Sequence, residues 1–379
     1  MKGLALLLLG LLSLCPVCLS VSLLRTPAFQ GPPAAAAAAA AKRAAVTATA
    51  AAADTPPAAA AAATAAGKPM KRVALFSGQG AQCIGMGVEC ARRDAAARLL
   101  FEEASSILNF DLFNLLLKGP QEKLNETQIA QPALLTASVA LFTSWKRAHN
   151  VEIDCCAGLS LGEYSALCCS GVLSFAAAVE LTAKRGALMQ QAAAANPGEM
   201  YAILGLSQQQ TEAVCAAAAA AARSSSSSSS SGEDVYCGVA NYLCPGNYAV
   251  SVSRSAAAAL QQAAAAAAAK RCVRLQVSGA FHSPLMAPAA AGLAAAIAAA
   301  DFQTPQTPVL LNVDAQIHTN PQAIKQKLIQ QLTSPTQWQQ SMELLGRLGM
   351  EESFEFGPGG ILSKLNSKIN PHVRTVRVE

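Results

Sequence analysis

The chain has 379 residues, of which 52% are hydrophobic and 13% are charged, and its formal net charge is +5. This length suits one large domain or two ordinary ones. Five Lys or Arg and a single acid lie in residues 1–70, so the rest, with 23 basic and 22 acidic residues, is nearly neutral. It contains no stripe of Lys and Arg interleaved with aromatic residues, so nucleic acid is not an expected partner.

The first 70 residues have the composition of a targeting leader. Met1 and Lys2 precede an apolar run to Leu24, which predicts a signal peptide over residues 1–24; a membrane anchor is the alternative, and Pro16 weakens it. Residues 25–70 are rich in Ala and poor in acids, as in a transit peptide, although a low-complexity tail without an address is also compatible. Such a bipartite leader resembles those that route proteins through the secretory pathway into a complex, apicoplast-like plastid; the mitochondrion is the alternative. We expect no stable membrane association once the leader is removed.

Ten of the twelve cysteines follow residue 70, and none of them has C-x-x-C spacing. The pairs Cys155-Cys156 and Cys168-Cys169 are adjacent in sequence. We interpret these residues as small apolar core side chains in a reducing compartment, rather than as disulfides or metal ligands, and we expect no metal.

The first part of the mature domain has an α/β pattern. Arg72–Phe76 predicts a buried strand that ends in the glycine turn Ser77–Gly80. Apolar residues at helical spacing over Pro132–Ala148 predict a helix packed on a sheet, and its first residue is a proline, as is typical of helix starts. Val151–Ala157 predicts a second strand, which runs into Gly158–Gly162 and then into a helix from about residue 163.

The periodicity changes between residues 199 and 277. The predicted elements follow the order β-α-β-β-α-β: strand Met200–Leu204, helix Ser207–Ala222, strands Val235–Ala240 and Tyr248–Ser253, helix Ser255–Ala269 and strand Cys272–Val277. This order is typical of a ferredoxin-like unit, with the Ser224–Ser231 tract as a polar loop within it.

After residue 278 the α/β character returns, with a strand near Val309–Asn312, a helix start around Gln337 and a strand-to-turn at Phe354–Gly360. The sequence therefore predicts an α/β-hydrolase-like large subdomain, residues 71–198 and 278–379, interrupted by a ferredoxin-like small subdomain, residues 199–277. A cleft between them is the expected active site.

The segment Gly158-Leu-Ser-Leu-Gly162 matches the pattern G-x-S-x-G. The pattern alone is weak, but here it lies between a predicted strand and a predicted helix, the context of a nucleophile elbow. Ser160 is therefore the candidate nucleophile. The N–H of Leu161, the next residue, is a candidate for one half of an oxyanion hole.

A serine nucleophile requires a base, and the chain has four histidines. His149, His318 and His372 lie at a helix end, in a polar turn and near the terminus, so we interpret them as surface residues. His282 lies where the last subdomain strand returns to the large subdomain, which favours it as the base over a structural role. No acid stands out as a third member of a triad, so a carbonyl is the candidate for orienting this histidine.

Two further features have open interpretations. The turn Gly78-Gln-Gly80 fits neither a Rossmann fingerprint nor a P-loop; it either offers a second N–H, from Gln79, beside the nucleophile or simply reverses the chain. Arg185 is either a solvated residue at a helix end or, if it faces the cleft, a bidentate partner for a substrate carboxylate.

Seven segments occur together in one order: Gly78-Gln-Gly-Ala-Gln82, Gln131-Pro-Ala-Leu-Leu-Thr136, Gly158-Leu-Ser-Leu-Gly-Glu-Tyr164, Lys184-Arg-Gly186, Phe281-His-Ser283, Gln337-Trp338 and Gly357-Pro-Gly359. With them, residues 73 to about 378 resemble the malonyl-CoA:acyl carrier protein transacylases of type II fatty-acid synthesis.

The resemblance implies a reaction and its residues. It implies that Ser160 forms the acyl-enzyme, that His282 acts as base and then acid, and that Gln79 and Leu161 provide the oxyanion hole. It further implies that Arg185 binds the malonyl carboxylate and that the carbonyl of Gln337 orients the histidine. Malonyl-CoA and acyl carrier protein, through its phosphopantetheine, would be the substrates, with no cofactor, and a monomer is expected.

The chain departs from the usual family pattern at several positions. Leu159 replaces the usual histidine before the nucleophile, and Ser77 replaces the proline that begins the glycine turn. The segment Asn241-Tyr-Leu-Cys-Pro-Gly-Asn247 also differs from the family's Asn-x-Asn-Ser-Pro-Gly-Gln. A serine esterase or thioesterase and a weakly active relic that binds carrier protein are the competing interpretations.

Overall fold

The computed structural model describes residues 69–225 and 235–379. The predicted leader and most of the serine tract lie outside these ranges. The strands are β1 Arg72–Phe76, β2 Cys155–Gly158, β3 Gly198–Leu204, β4 Cys237–Cys244, β5 Asn247–Ser253, β6 Arg271–Arg274, β7 Val309–Leu310, β8 Ile317–His318, β9 Glu352–Phe356 and β10 Arg374–Val378. The α-helices are α1 Val88–Arg93, α2 Ala95–Leu108, α3 Leu112–Lys118, α4 Gln121–Leu124, α5 Thr127–Ala148, α6 Gly162–Cys169, α7 Phe175–Ala195, α8 Gln208–Ser225, α9 Ala257–Ala266, α10 Ala287–Ala299, α11 Pro321–Gln330, α12 Trp338–Arg347 and α13 Ile361–Ile369.

The larger sheet is mostly parallel and has the strand order β10-β9-β1-β2-β7-β8. Its central strand β1 pairs in parallel with β2 on one side and β9 on the other. The β7–β8 pair is antiparallel. β1 coincides with the predicted strand, whereas β2 begins at Cys155, four residues after the predicted start. The carboxyl ends of β1, β2 and β7 therefore meet at one edge, where open α/β sheets bind their ligands.

Helix α5 packs on this sheet through an aromatic cluster. Phe356 of β9 lies 5.6 Å from Phe76 and 5.1 Å from Phe142 between ring centroids. The predicted packing is therefore confirmed, but the predicted start is wrong, because α5 begins at Thr127 and Pro132 lies inside it. Ala130 and Gln131, in the extra turn before Pro132, are fully buried. The stabilisation from packing this turn outweighs the cost of the backbone hydrogen bond that proline cannot donate.

The smaller sheet is antiparallel and has the strand order β4-β5-β3-β6. Helices α8 and α9 separate β3 from β4 and β5 from β6, so the elements follow the predicted chain order. Apolar side chains, including Ile203, Val250 and Leu260, bury one face of the sheet. β6 ends at Arg274, so the predicted extension of this strand to Val277 is wrong.

The cysteines of the described ranges are all free, and most are buried or half-buried. This fits their interpretation as core residues, except for Cys83, which is exposed. Within the same ranges, no helix combines the length and the apolar character needed to cross a bilayer.

Candidate active site

Three loops that follow neighbouring parallel strands form the candidate site. β1 leads to the turn at Gly78 and Gln79, β2 leads to Ser160, and β7 leads to Asn312. Phe76 pairs with Gly158, and Ala157 pairs with Leu310, so the three strands end at nearly the same level. The sheet therefore brings together residues that are far apart in the sequence.

The turn around Ser160 has the tight geometry of a nucleophile elbow. Ser160 has φ +54°, a left-handed conformation that costs a residue with a side chain about 1–2 kcal/mol. A Cβ atom at Gly158 would lie 2.0 Å from the carbonyl of Gly162, and one at Gly162 would lie 2.0 Å from the carbonyl oxygen of Phe76. Both glycines of the G-x-S-x-G pattern are therefore required by close backbone contacts.

Gly162→Ala is expected to destabilise the protein by at least about 3 kcal/mol, because its new methyl group would overlap with the backbone of β1. Gly85→Ala is the matched control, because a Cβ atom there meets nothing within 4 Å and only the positive φ opposes it. We expect that control to cost about 1–2 kcal/mol. Chemical unfolding measures both effects, and equal losses for the two variants would contradict this account of the elbow.

His282 lies directly against the candidate nucleophile. Its Nε2 atom is 2.7 Å from Ser160 Oγ, and its Nδ1 atom is 2.9 Å from the backbone carbonyl oxygen of Gln331. Because a carbonyl oxygen can only accept, Nδ1 carries the proton and Nε2 presents its lone pair to the serine hydroxyl. Ser160 and His282 are therefore arranged as a nucleophile and its base.

The predicted orienting residue, Gln337, is wrong. Its N–H donates to the carbonyl oxygen of Asn312 at 2.8 Å, and it precedes helix α12 as its N-cap. Gln331 instead follows the last residue of α11. The carbonyls at a helix end have no partner within the helix, so the Gln331 carbonyl is available to the histidine ring.

The other histidines lie elsewhere. His149 and His372 are exposed, as expected for surface residues. His318 does not fit that expectation, because its side chain is only 14% exposed and its Nε2 lies 3.1 Å from Asp314 Oδ2. This contact gives His318 a structural role.

Burial keeps His282 neutral. The side chain is 4% exposed. Loss of solvent, and secondarily the positive charge of Arg185, lower the pKa of His282 from 6.5 to about 4. The ring is therefore unprotonated at neutral pH, which is the form that can accept the serine proton.

Arg185 lies in the middle of α7 and is 1% exposed, so it is not the solvated helix-end residue of the alternative interpretation. Nη2 donates to Ser160 Oγ at 3.2 Å and to Gln331 Oε1 at 2.9 Å, and Nη1 donates to Gln131 Oε1 at 2.8 Å. No carboxylate lies within ion-pair distance of it in the described ranges, and its Nε has no hydrogen-bond partner there. A buried cation held only by neutral groups beside the nucleophile can take up an anion.

Three backbone N–H groups near Ser160 differ in their hydrogen bonding: one already donates to a side chain, and two are available to a substrate. Ser160 N–H donates to Asn312 Oδ1 at 2.6 Å. The N–H groups of Gln79 and Leu161 donate to no group in the part of the chain that the structure describes. These are the two groups expected to form an oxyanion hole.

Ser160 and His282 open into a cavity of about 250 Å³ between the two sheets. Gln79 and Leu159 come from the large sheet's loops, and Met200 and Ala249 come from β3 and β5. A larger cleft of about 580 Å³ shares Gln79 with this cavity, but neither Ser160 nor His282 lines it. Chemistry at the serine therefore belongs to the smaller cavity.

Three of the residues that depart from the family pattern lie in the cavity wall. Leu159, Leu243 and Asn247 line the cavity. Ser77 is buried and donates its hydroxyl to Glu355 Oε1 at 3.2 Å. The cavity wall therefore differs from the family pattern at these three positions, while Ser160 and His282 remain within hydrogen-bond distance of each other.

Four residues of the site were not predicted as functional. Gln131 and Glu163 lie within recognised motifs, but nothing in those motifs separates them from their neighbours. Asn312 ends a predicted strand, and Gln331 follows a helix in a segment without a distinctive pattern. Their roles depend on contacts between distant loops, for which a single sequence carries no signal.

A family model described as the acyl transferase domain matches residues 73–349. The malonyl CoA-acyl carrier protein transacylase of Escherichia coli K12 is 40% identical over 295 residues, which cover 78% of this chain and 91% of that protein. The transacylase of Bacillus subtilis 168 is 40% identical over 310 residues, covering 82% and 94%. The chain belongs to the malonyl-CoA:acyl carrier protein transacylase family.

Solved structures of the transacylase family have the same fold. The acyl carrier protein S-malonyltransferase of Vibrio cholerae superposes with a TM-score of 0.76 at 39% identity, covering 82% of this chain and 97% of that one. A malonyl-transacylase in complex with its type II PKS acyl-carrier protein superposes with a TM-score of 0.75 at 36% identity, covering 81% and 96%. The predicted α/β fold class is confirmed at the level of this family fold.

Proposed function

We propose that this chain transfers a malonyl group from malonyl-CoA to the phosphopantetheine thiol of acyl carrier protein, for fatty-acid synthesis. The observation that carries the proposal is the position of Arg185, which is buried 3.2 Å from Ser160 Oγ and has no carboxylate within ion-pair distance in the part of the chain that the structure describes. A malonyl thioester brings a carboxylate to that cation, whereas an acetyl thioester leaves the cation unpaired.

The proposed acylation starts with the removal of the hydroxyl proton of Ser160 by Nε2 of His282. The serine oxygen forms a bond with the thioester carbon, and the negative charge on the carbonyl oxygen is stabilised by the N–H groups of Gln79 and Leu161. The C–S bond then breaks, coenzyme A leaves with the proton from His282, and malonyl-Ser160 remains.

The second half of the reaction repeats these steps in reverse with a new thiol. His282 takes the proton of the phosphopantetheine thiol, whose sulfur attacks the ester, and Ser160 regains its proton as the malonyl thioester leaves. One thioester is consumed and one is formed, so the cycle needs no oxidant and no cofactor besides the two substrates. Ping-pong kinetics is the expected signature.

Radiolabelled malonyl-CoA, offered with and without holo acyl carrier protein, tests this function. We expect label on the chain when the carrier is absent and on the carrier when it is present. An esterase or thioesterase would release free malonate without loading the carrier, and that outcome would refute the transferase. A chain that takes up no label would instead fit the relic, which Leu159→His would then be expected to reactivate.

The low pKa of His282 predicts how the acylation rate falls at acidic pH. Protonated His282 has no lone pair for the serine proton, so acylation should be lost as pH falls through about 4 and stay constant from about pH 5 to 7. Burst kinetics measured from pH 3.5 to 8, with thermal unfolding at each pH as the control, test this expectation. A midpoint near 6.5, as for a solvated histidine, would contradict it.

We further propose the two-subdomain organisation described above, with acyl carrier protein as the partner of a monomeric enzyme. The strand order β4-β5-β3-β6, with its two helices, supports a ferredoxin-like small subdomain. Plastid delivery through the secretory pathway is also a proposal, supported by the composition of residues 1–70. Fusing those residues to a fluorescent reporter tests the destination, and a mitochondrial or surface location would refute it.

A further inference from the structure

The left-handed backbone of Ser160 is held from both sides. Asn312 Oδ1 accepts the Ser160 N–H at 2.6 Å, and Asn312 Nδ2 donates to the carbonyl oxygen of Gly158 at 2.7 Å. On the other side, Gln331 Nε2 donates to the carbonyl oxygen of Ser160 at 2.9 Å. The side chain of Asn312 therefore bridges the backbones of Gly158 and Ser160.

Asn312 is in turn held by a buried acid. Its N–H donates to Glu163 Oε2 at 2.6 Å. Glu163 is fully buried, has no ion-pair partner in the described ranges, and its Oε1 has no hydrogen-bond partner there. An ionised carboxylate so placed would be costly, so its presence at the start of α6 calls for a specific role.

We propose that Asn312 and Glu163 are a pair of positioning residues for acyl transfer: Asn312 fixes the strained Ser160 backbone and occupies its N–H, and Glu163 fixes Asn312. This inference rests on the proposed function of Ser160 as the nucleophile. It explains why the oxyanion hole uses the N–H groups of Gln79 and Leu161, since the Ser160 N–H is already bonded to Asn312.

The charge state of Glu163 agrees with this role. Burial raises the pKa of Glu163 to about 8, so the side chain is mostly a neutral acid at pH 7. Two charged residues also act on the pKa of Glu163: the positive charge of Arg185 lowers it and the negative charge of Asp314 raises it. A neutral Glu163 does not compete with a substrate carboxylate for the guanidinium of Arg185.

A fluorophosphonate probe tests the inference independently of malonyl transfer, because it bonds to the serine oxygen through phosphorus and releases fluoride without needing Arg185 or carrier protein. We would compare labelling rates of the full chain with those of Asn312→Ala, Glu163→Ala and Glu163→Gln. Asn366→Ala is the matched control, since Asn366 is also fully buried but bonds Ser353 and Thr375, away from the site.

We expect Asn312→Ala to slow labelling about 10²-fold, the loss typical of a displaced nucleophile, while Asn366→Ala changes it less than about threefold. Glu163→Ala should slow it about 10-fold, and Glu163→Gln, which keeps the acceptor for Asn312 N–H, should restore at least half of the wild-type rate. In malonyl transfer, Asn312→Ala should lower kcat and leave KM within about twofold.

Equal labelling rates for Asn312→Ala and Asn366→Ala would overturn the role of Asn312. A Glu163→Gln variant as slow as Glu163→Ala would overturn the role of Glu163, because it would show that restoring the acceptor for the Asn312 N–H does not restore the rate. Thermal unfolding shows whether each variant folds. If Asn312→Ala does not fold, the comparison of Glu163→Ala with Glu163→Gln still tests the inference. If the wild type reacts with the probe but transfers no malonyl group, the proposed function fails and this inference survives.

Discussion

Ser160→Ala is expected to abolish the acyl-enzyme and to lower malonyl transfer by about 10⁴–10⁶-fold. The reason is that, among the described residues, the hydroxyl bonded to His282 Nε2 is that of Ser160, whose Oγ lies 2.7 Å away. His282→Ala should cause a loss of similar size, because these two residues act as a unit. Mass spectrometry of the chain after incubation with malonyl-CoA measures the adduct, and carrier-protein loading measures the transfer.

Ser165→Ala is the matched control for Ser160→Ala, which removes the proposed nucleophile. Ser165 is buried on α6, and its hydroxyl has no hydrogen-bond partner in the described ranges. The same substitution there should leave the adduct and the transfer rate within about twofold of wild type. Malonyl transfer that persists in Ser160→Ala would show that the thiol attacks malonyl-CoA directly and that no acyl-serine is formed.

Arg185→Ala is expected to reverse the substrate preference. Removing the cation leaves the malonyl carboxylate buried and unpaired, a penalty of about 3–4 kcal/mol, so kcat/KM for malonyl-CoA should fall about 10²–10³-fold. Acetyl-CoA has no carboxylate, so its kcat/KM should stay within about threefold or rise. The measurement is the ratio of the two kcat/KM values for the wild type and the variant.

Two controls make the Arg185 result specific. Arg185→Lys keeps a positive charge but loses the planar fork that reaches Gln131 and Gln331, so we expect an intermediate loss for malonyl-CoA. Arg98→Ala removes an exposed arginine that pairs with Glu102 and should change neither substrate. An equal fall for malonyl-CoA and acetyl-CoA in Arg185→Ala would mean that Arg185 supports the fold or Ser160 rather than the carboxylate.

The local chemistry of the elbow could be predicted from the sequence. Gly158 and Gly162 flank Ser160 because any Cβ atom there would overlap with backbone, and this constraint is encoded in consecutive residues. His282 was identified because its three competitors lie in unfavourable contexts. Strand β1 was also predicted with its correct ends, because a short apolar run beside a glycine turn is a local signal.

Contacts between distant loops could not be predicted. The prediction that the Gln337 carbonyl orients His282 is wrong, because the ring contacts the carbonyl of Gln331, and only the tertiary fold shows which helix end meets the ring. The expected surface position of His318 is wrong, because its side chain lies half-buried against Asp314. The predicted helix start at Pro132 is wrong, because α5 begins at Thr127 and the residues between the two are mostly buried.

By itself, the sequence determined the candidate nucleophile and its candidate base, the order of strands and helices in residues 199–277 and the family, since these depend on residue types at short spacing and on the order of motifs. Only the tertiary structure decided that Arg185 is a buried cation with no acidic partner among the described residues, and that Asn312 links the Ser160 N–H to Glu163 through hydrogen bonds. The physical reason is that burial and hydrogen bonding are set by which strand ends meet at the sheet edge. The hydroxyl of Ser160 is specified by five consecutive residues, and its surroundings are assembled from loops up to 171 residues away.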